Sequence, residues 1–401
     1  MKEITGKYNT CKVFTDDIDK NCINQLSELM NLECIKDSEI RIMSDCHAGS
    51  GCVIGTTMTL TDKVIPNLVG VDIGCGMLVI KLVEKSIDFA KLDNVIHTDI
   101  PSGRNIHTET DSQWTDDCES LIKLDSLIAP TNKTVDKLSI GTLGSGNHFI
   151  EVDKDEDGYY YLVIHTGSRH LGVAICKYYQ RLSYKRLTSN EVLFGAKIAE
   201  MRMNGRQSEI AAMIAEGRKN FVAPDKDLTY VTGNDFNNYL HDMDIARAFA
   251  IMNRSAIASN IIDAMGWHIA DFIETVHNYI DTEHMILRKG AVSAQRGERL
   301  IIPLNMRDGS LICVGKGNED WNYSAPHGAG RLLSRSDAKR EIKLSDFKET
   351  MKGIYSTSVC DETIDESPFA YKPAQEIIGC IRDTVDIVNI IKPVYNFKAT
   401  K

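Results

Sequence analysis

A chain of 401 residues, 43% hydrophobic and 25% charged, has ordinary globular composition and the length for one large domain or two small ones. No window holds the roughly 18 apolar residues of a membrane-spanning helix, and the opening residues lack the apolar core of a secretory signal, so a cytoplasmic protein with no membrane partner is expected. A formal charge of −10 speaks against coating nucleic acid through a broad basic surface, but leaves room for gripping a nucleic-acid end with a few arginines and bound metal ions.

The first 180 residues alternate short β-rich runs with turns: CVIGTTMTL, GMLVIKLVE, HFIEV and YYYLVIH. HFIEV and YYYLVIH flank the acidic turn DKDEDG, which predicts an antiparallel hairpin centred near residues 155–156. That register pairs His148 with a residue near 163 and makes His148 and His165 cross-strand neighbours, roughly 5–8 Å apart if they share a face. Residues 190–222 and 234–281 space their apolar residues by three and four, which predicts helices and puts His277 near the end of the second. After Arg288 strands return as AVSA, ERLIIPL and SLICVG. Strands, helices, then strands again predict an α+β fold, a single domain of mixed sheets with a helical excursion at about 190–281.

The eleven cysteines are scattered and contain no C-x-x-C pair, as suits reduced, mostly buried thiols. Chemistry concentrates in five glycine-rich or polar segments. These are VGVDIGCGM with Asp72 and Cys75, GTLGSGNHFIEV with Asn147, His148 and Glu151, VIHTGSRHLG with His165 and Arg169, ETVHNYID with His277 and Asn278, and SAPHGAGR with His327 and Arg331. One carboxylate, one thiol and three imidazoles can hold one or two divalent metals, and a thiolate can bridge two cations. The residues leave the metal open: softness suits zinc or iron, whereas an exchangeable site that also serves phosphates suits Mn²⁺ or Mg²⁺. Taken singly, each has a plainer reading as a tight turn, a buried thiol or a hydrogen-bonded structural histidine. His47, in SDCHAGSG, is a further candidate for a supporting place around the metals; His97, His107, His241, His268 and His284 are read as structural.

No G-x-x-x-x-G-K-[ST] and no complete G-x-G-x-x-G is present, so a P-loop or dinucleotide fold is disfavoured. In HGAGR, small residues let a phosphate approach the backbone, and Arg331 stands four residues on to pair with its oxygens. A neutral imidazole can attack phosphorus and leave again, so His327 suits a phosphoramidate intermediate.

In order from about residue 40 to the C-terminus, the motifs VGVDIGCG, GSGNHFIEV, HTGSR, HNY, RKGA, HGAGRLLSR and YNFK resemble the RtcB family of GTP-dependent RNA-splicing ligases. The resemblance implies an enzyme that joins an RNA 2′,3′-cyclic phosphate or 3′-phosphate end to a 5′-hydroxyl end, using GTP and manganese. Its partners would be RNA ends, such as tRNA halves or broken RNA, and it would act as a monomer. By the same resemblance, Asp72, Cys75, His148, His165 and His277 would hold two Mn²⁺, with Cys75 bridging, and His327 would take up GMP. The nucleotide site would draw on Asn147, His148, Phe149, Ile150 and Glu151, then His277 and Asn278. It would continue with Pro303, Leu304, Asn305, Met306 and Ser310, then His327, Gly328, Ala329 and Gly330, and end with Lys398. Glu151 would accept from the guanine N1–H and N2–H₂, and Lys398 would donate toward O6. Arg169, Arg331 and Lys289 would bind RNA or transferred phosphates. Two departures stand out: His170 follows HTGSR where the family favours a small residue, and Leu304 follows Pro303 where the family often has glycine. The rival readings are a guanylyltransferase that caps 3′-phosphate ends and a non-catalytic RNA-binding module.

Overall fold

The computed structural model describes residues 1–49 and 51–399. Its order of elements is α+β, and two sheets dominate. The first runs Lys2–Thr5, Thr10–Val13, Ile40–His47, Ile54–Thr59, Ile286–Lys289 and Asn278–Asp281. The second runs Ile269–Val276, Gly76–Leu82, Tyr160–Thr166, Phe149–Lys154, Val385–Lys398, Gly309–Gly315 and Arg299–Asn305.

The central strands of the second sheet are buried on both faces, which is why GMLVIKL reads as a nearly unbroken apolar run. On one face Leu78, Ile80 and Leu82 pack with Ile150, Val152, Leu162 and Ile164 against Leu92 and Ile96 of helix Phe89–Asp99. Ile257 and Ile261 of helix Asn234–Met265 join the same cluster. On the other face Met77, Val79, Phe149, Val163 and Ile273 meet Ile301, Ile312 and Ile391 from the far strands, so the sheet curls around its own interior. Its two outermost strands are tied where Arg299 pairs with Asp271 and donates to the Phe272 carbonyl.

The hairpin forms, with Phe149 opposite His165 and Lys154 opposite Tyr160. The turn lies later than expected, so His148 falls just before its strand, level with Thr166 rather than residue 163. The two imidazoles are still neighbours, with ring centroids 5.3 Å apart.

The helical excursion needs correcting. Helices occupy Arg169–Leu187, Asn190–Met203, Ile210–Lys219 and Asn234–Met265, and the last ends where Gly266 takes the left-handed conformation (φ 70°). Residues 269–281 are strands, not the end of a helix. The three-and-four spacing of Ile269, Phe272, Ile273 and Val276 misled, because Phe272 is 60% exposed beside buried Ile273, the alternation of a strand. Strands therefore resume before Arg288, and His277 sits in the break between two of them. Among the described residues no helix is long and apolar enough to cross a membrane.

Candidate active site

Antiparallel pairing brings four of the five expected metal ligands to one end of the curled sheet. Cys75 immediately precedes Gly76–Leu82, His165 is next to last in Tyr160–Thr166, His148 precedes Phe149–Lys154, and His277 follows Ile269–Val276. Asp72 stands three residues before Cys75 in a tight turn. The fully buried Arg254 braces that turn by donating to the carbonyls of Gly74 (2.9 Å) and Thr166 (2.6 Å), which ties it to the neighbouring strand end. Asn278 adds a bond to the Asp72 carbonyl at 3.2 Å.

The inner atoms converge. Cys75 Sγ lies 3.3 Å from His165 Nε2 and 3.6 Å from His148 Nε2; His165 Nε2 lies 3.4 Å from His277 Nε2, and His148 Nε2 3.0 Å from Asp72 Oδ2. Two sets, Cys75–His165–His277 and Asp72–Cys75–His148, have their ligand atoms within 4.8 Å of one another and share the sulfur. The outer ring nitrogens explain the convergence. His148 Nδ1 faces the Leu143 carbonyl at 2.9 Å and His165 Nδ1 faces the Asn147 carbonyl at 3.2 Å. A carbonyl only accepts, so each Nδ1 carries the proton and each Nε2 turns a lone pair inward. Converging lone pairs, a thiol and a carboxylate repel or go unsatisfied unless a cation sits among them, so this group fits divalent metal.

Charge supports that fit. Burial, reinforced by the other basic groups packed around them, pushes the imidazoles of His165 and His277 well below their usual range and keeps them neutral. Burial alone would raise Asp72, but its contacts with the His148 ring and the Cys75 thiol outweigh it and hold the carboxyl at about 2. Burial and the Asp72 carboxylate push the Cys75 thiol well up, so its thiolate needs a nearby cation.

His327 stands beside this group, its ring centroid 4.8 Å from that of His277. Its Nδ1–H donates to Asp45 Oδ2 at 2.7 Å, and the same oxygen accepts from Gly328 N at 3.1 Å. Nε2 is thereby left with its lone pair available, and the ring's orientation is set by a fully buried carboxylate. Gly330, at φ 74°, closes the turn against that strand; a Cβ there would come within 2.3 Å of the Asp45 carbonyl. Asp45 escaped the sequence reading: SDCHAGSG drew attention to His47, whose Nδ1 lies 3.1 Å from the Asp45 carbonyl oxygen.

A cleft of about 790 Å³ opens over these groups. Its lining includes Asp72, Cys75, His165, His277 and His327, with Asn147, Phe149, Glu151, Asn278, Pro303, Leu304, Asn305, Met306, Gly328, Ala329, Gly330, Arg331 and Lys398. His148 completes the metal group from behind the lining. Glu151, buried, accepts from Asn396 Nδ2 at 2.5 Å. Lys398 pairs with Glu366 at 2.6 Å, and Glu366 also takes Arg335 at 2.7 Å and Arg331 at 3.4 Å. Burial would raise Glu366, but Lys398, Arg335 and Arg331 outweigh it and hold it at about 2. Below Glu151, the buried Asp153 receives no hydrogen bond on either oxygen; burial, then the charge of Glu151, pushes its carboxyl well above the usual range. Burial raises the Glu151 carboxyl as well, opposed by Asp153, Asn396 and Lys398. Asn396, Glu366 and Asp153 were not anticipated, and YNFK was the only motif pointing toward the first.

Other nominated residues lie elsewhere. The Ile150 side chain points away from the cleft into the core, because successive residues of a strand face opposite ways. Ser310 is buried outside the lining, with its hydroxyl unpartnered. Lys289 is 6% exposed and donates to the Asn67 carbonyl at 2.8 Å, so it does not face a phosphate in the cleft. Arg169, also outside the lining, donates to Thr142 Oγ1 and the Gly103 carbonyl, both at 3.0 Å.

An imidazole held by a carboxylate at the rim of a buried group of metal-type ligands, under a cleft of nucleotide size, is an arrangement suited to group transfer. Comparison with known proteins narrows the class. Residues 25–399 match the family described as tRNA-splicing ligase RtcB. The chain is similar to the RNA-splicing ligase RtcB of Escherichia coli K12, 30% identical over 88% of this chain and 88% of that protein. It is also similar to the tRNA-splicing ligase RtcB of Aeropyrum pernix, 27% identical over 88% of this chain and 86% of that one. A match over this much of the sequence settles the family: the chain belongs to the RtcB ligases.

Proposed function

We propose that this protein seals RNA, joining a 3′-phosphate or 2′,3′-cyclic phosphate end to a 5′-hydroxyl end with GTP as the energy source and Mn²⁺ as the metal. The observation that carries this reading is His327, fixed by Asp45 with its free Nε2 beside the metal-ligand group. Asp72, Cys75, His148, His165 and His277 would hold the metal, which supplies charge neutralisation for the phosphates. The same thiol, carboxylate and imidazole donors also suit zinc; service to a triphosphate favours manganese.

In the proposed sequence, His327 Nε2 attacks the α-phosphorus of GTP and pyrophosphate leaves. The RNA 3′-phosphate then displaces the histidine and carries GMP away as a 3′–5′ diphosphate, which makes its own phosphorus a good electrophile. The 5′-hydroxyl attacks that phosphorus, loses its proton, and GMP departs. A cyclic end is first opened by water to the 3′-monophosphate. Glu151, oriented by Asn396, would accept from the guanine edge in its ionised form, and Lys398 would donate toward O6. Every residue invoked belongs to one chain, which suits a monomer. RNA ends are its proposed partners and the cytoplasm its proposed compartment.

Incubation with α-labelled GTP and Mn²⁺ tests the first step. Label should enter the wild type and be absent from His327→Ala; a labelled variant would remove the proposed role of His327. A 3′-phosphate/5′-hydroxyl RNA pair then separates sealing from capping, because a capping enzyme would accumulate guanylylated ends without joined product.

A further inference from the structure

The helix Arg169–Leu187 is unusual in a chain with 56 acidic and 46 basic residues: its 19 residues include Arg169, Lys177, Arg181, Lys185 and Arg186 and no acid. One face is core, with Leu171, Ile175, Cys176 and Tyr179 buried. The opposite stripe carries His170, Lys177, Arg181 and Lys185, all exposed and spaced by seven, four and four residues, which keeps them in line on a helix. Among the described residues, Lys177, Arg181 and Lys185 enter no salt bridge or hydrogen bond, while adjacent Arg186 is taken by Asp235 at 3.0 Å. His170 is held by buried Asp136 at 2.9 Å.

The helix that carries the ridge starts beside the metal group. The helix begins four residues after His165, and Gly167 lies so close to the metal group that a Cβ on it would come within 2.1 Å of Asp72 Oδ1. At about 1.5 Å of rise per residue, Lys177, Arg181 and Lys185 stand roughly 12, 18 and 24 Å from the helix start. Three cations without counter-ions, repeating about every 6 Å, form an electrostatic track leading from the reacting end.

We propose that this ridge is the docking surface for the body of the substrate RNA, binding the phosphates of the strand whose end lies in the cleft. The inference rests on the ligase reading of that cleft. A membrane surface fits poorly, because the apolar face of this helix is already spent on the core. An acidic peptide would match the charge but gives no reason for the ridge to start at the metal group.

The test is anisotropy binding of a labelled stem-loop RNA with a single-stranded 3′-phosphate tail to the full-length protein, from 50 to 200 mM salt. The variant is Lys177→Glu/Arg181→Glu/Lys185→Glu, and the charge-matched control is Lys343→Glu/Lys348→Glu/Lys352→Glu. Losing three phosphate contacts should lower the magnitude of the log Kd versus log salt slope by about 2 to 3 and weaken binding more than tenfold at 100 mM salt, while the control changes little. If the reversed variant melts early, the glutamine triple variant carries the test, with the same direction expected. Wild-type slope and affinity in a folded ridge variant, or an equal loss in the control, would overturn the proposal. Separately, a wild type that takes up no label from GTP but shows the ridge-dependent slope would sink the ligase reading and leave the ridge standing.

Discussion

Replacing Asp45 by alanine removes the acceptor that orients His327 without touching the metal ligands. The 2.7 Å contact from His327 Nδ1 is a hydrogen bond to a charged group, and Asp45 is fully buried, so water cannot easily take its place. Such bonds contribute about 1.5–3 kcal/mol, equivalent to a 10- to 150-fold loss at 1.36 kcal/mol per decade. Part of that loss is expected to come from freeing the imidazole to place its proton on Nε2, which makes it unable to attack phosphorus. The assay is the initial rate of GMP transfer from α-labelled GTP to the protein at saturating Mn²⁺, with metal-induced stabilisation measured in parallel. Asp45→Asn should fall between alanine and wild type, since its carbonyl oxygen can still accept from both Nδ1 and Gly328 N. A Asp45→Ala protein that labels within threefold of wild type, with unaltered metal response, would refute the argument.

Two further predictions concern buried carboxyls along the same wall. Glu366 is held at about 2, below the unfolded value near 4.5, so its stabilising effect is full above that unfolded value and is lost as pH falls from about 4.5 toward 2. That window is worth roughly 3 kcal/mol, and Glu366→Gln should flatten the acid limb of the melting curve while lowering the melting temperature at pH 7, because Lys398, Arg331 and Arg335 then face one another. An unchanged acid limb would disprove the account. Asp153 has the opposite sign: its raised folded pKa means wild-type stability declines as pH climbs from the ordinary carboxylate range through that raised value. Asp153→Asn should remove this decline and melt no lower than wild type at pH 8, whereas Asp153→Ala should melt lower at every pH; thermal melts from pH 5 to 8 would show whether both hold.

The metal group was legible because its pieces are local. Glycine turns next to Cys75, His148 and His327 mark short polar segments between apolar runs, and the DKDEDG turn placed His148 and His165 side by side within a small register error. Apolar spacing alone misjudged residues 269–281, since exposed Ile269 and Phe272 imitate a helical stripe, and only the pairing of Ile269–Val276 with Gly76–Leu82 shows the strand. Asp45 lies 282 positions from His327, Glu366 lies 32 from Lys398, and Asn396 lies 245 from Glu151. Each of these contacts depends on how the two sheets and the C-terminal strand close around a common interior. Periodicity and turn chemistry act over a few residues, so the chain announces which groups are reactive. Which buried carboxylate orients each of them is decided when distant strands pack and water is excluded.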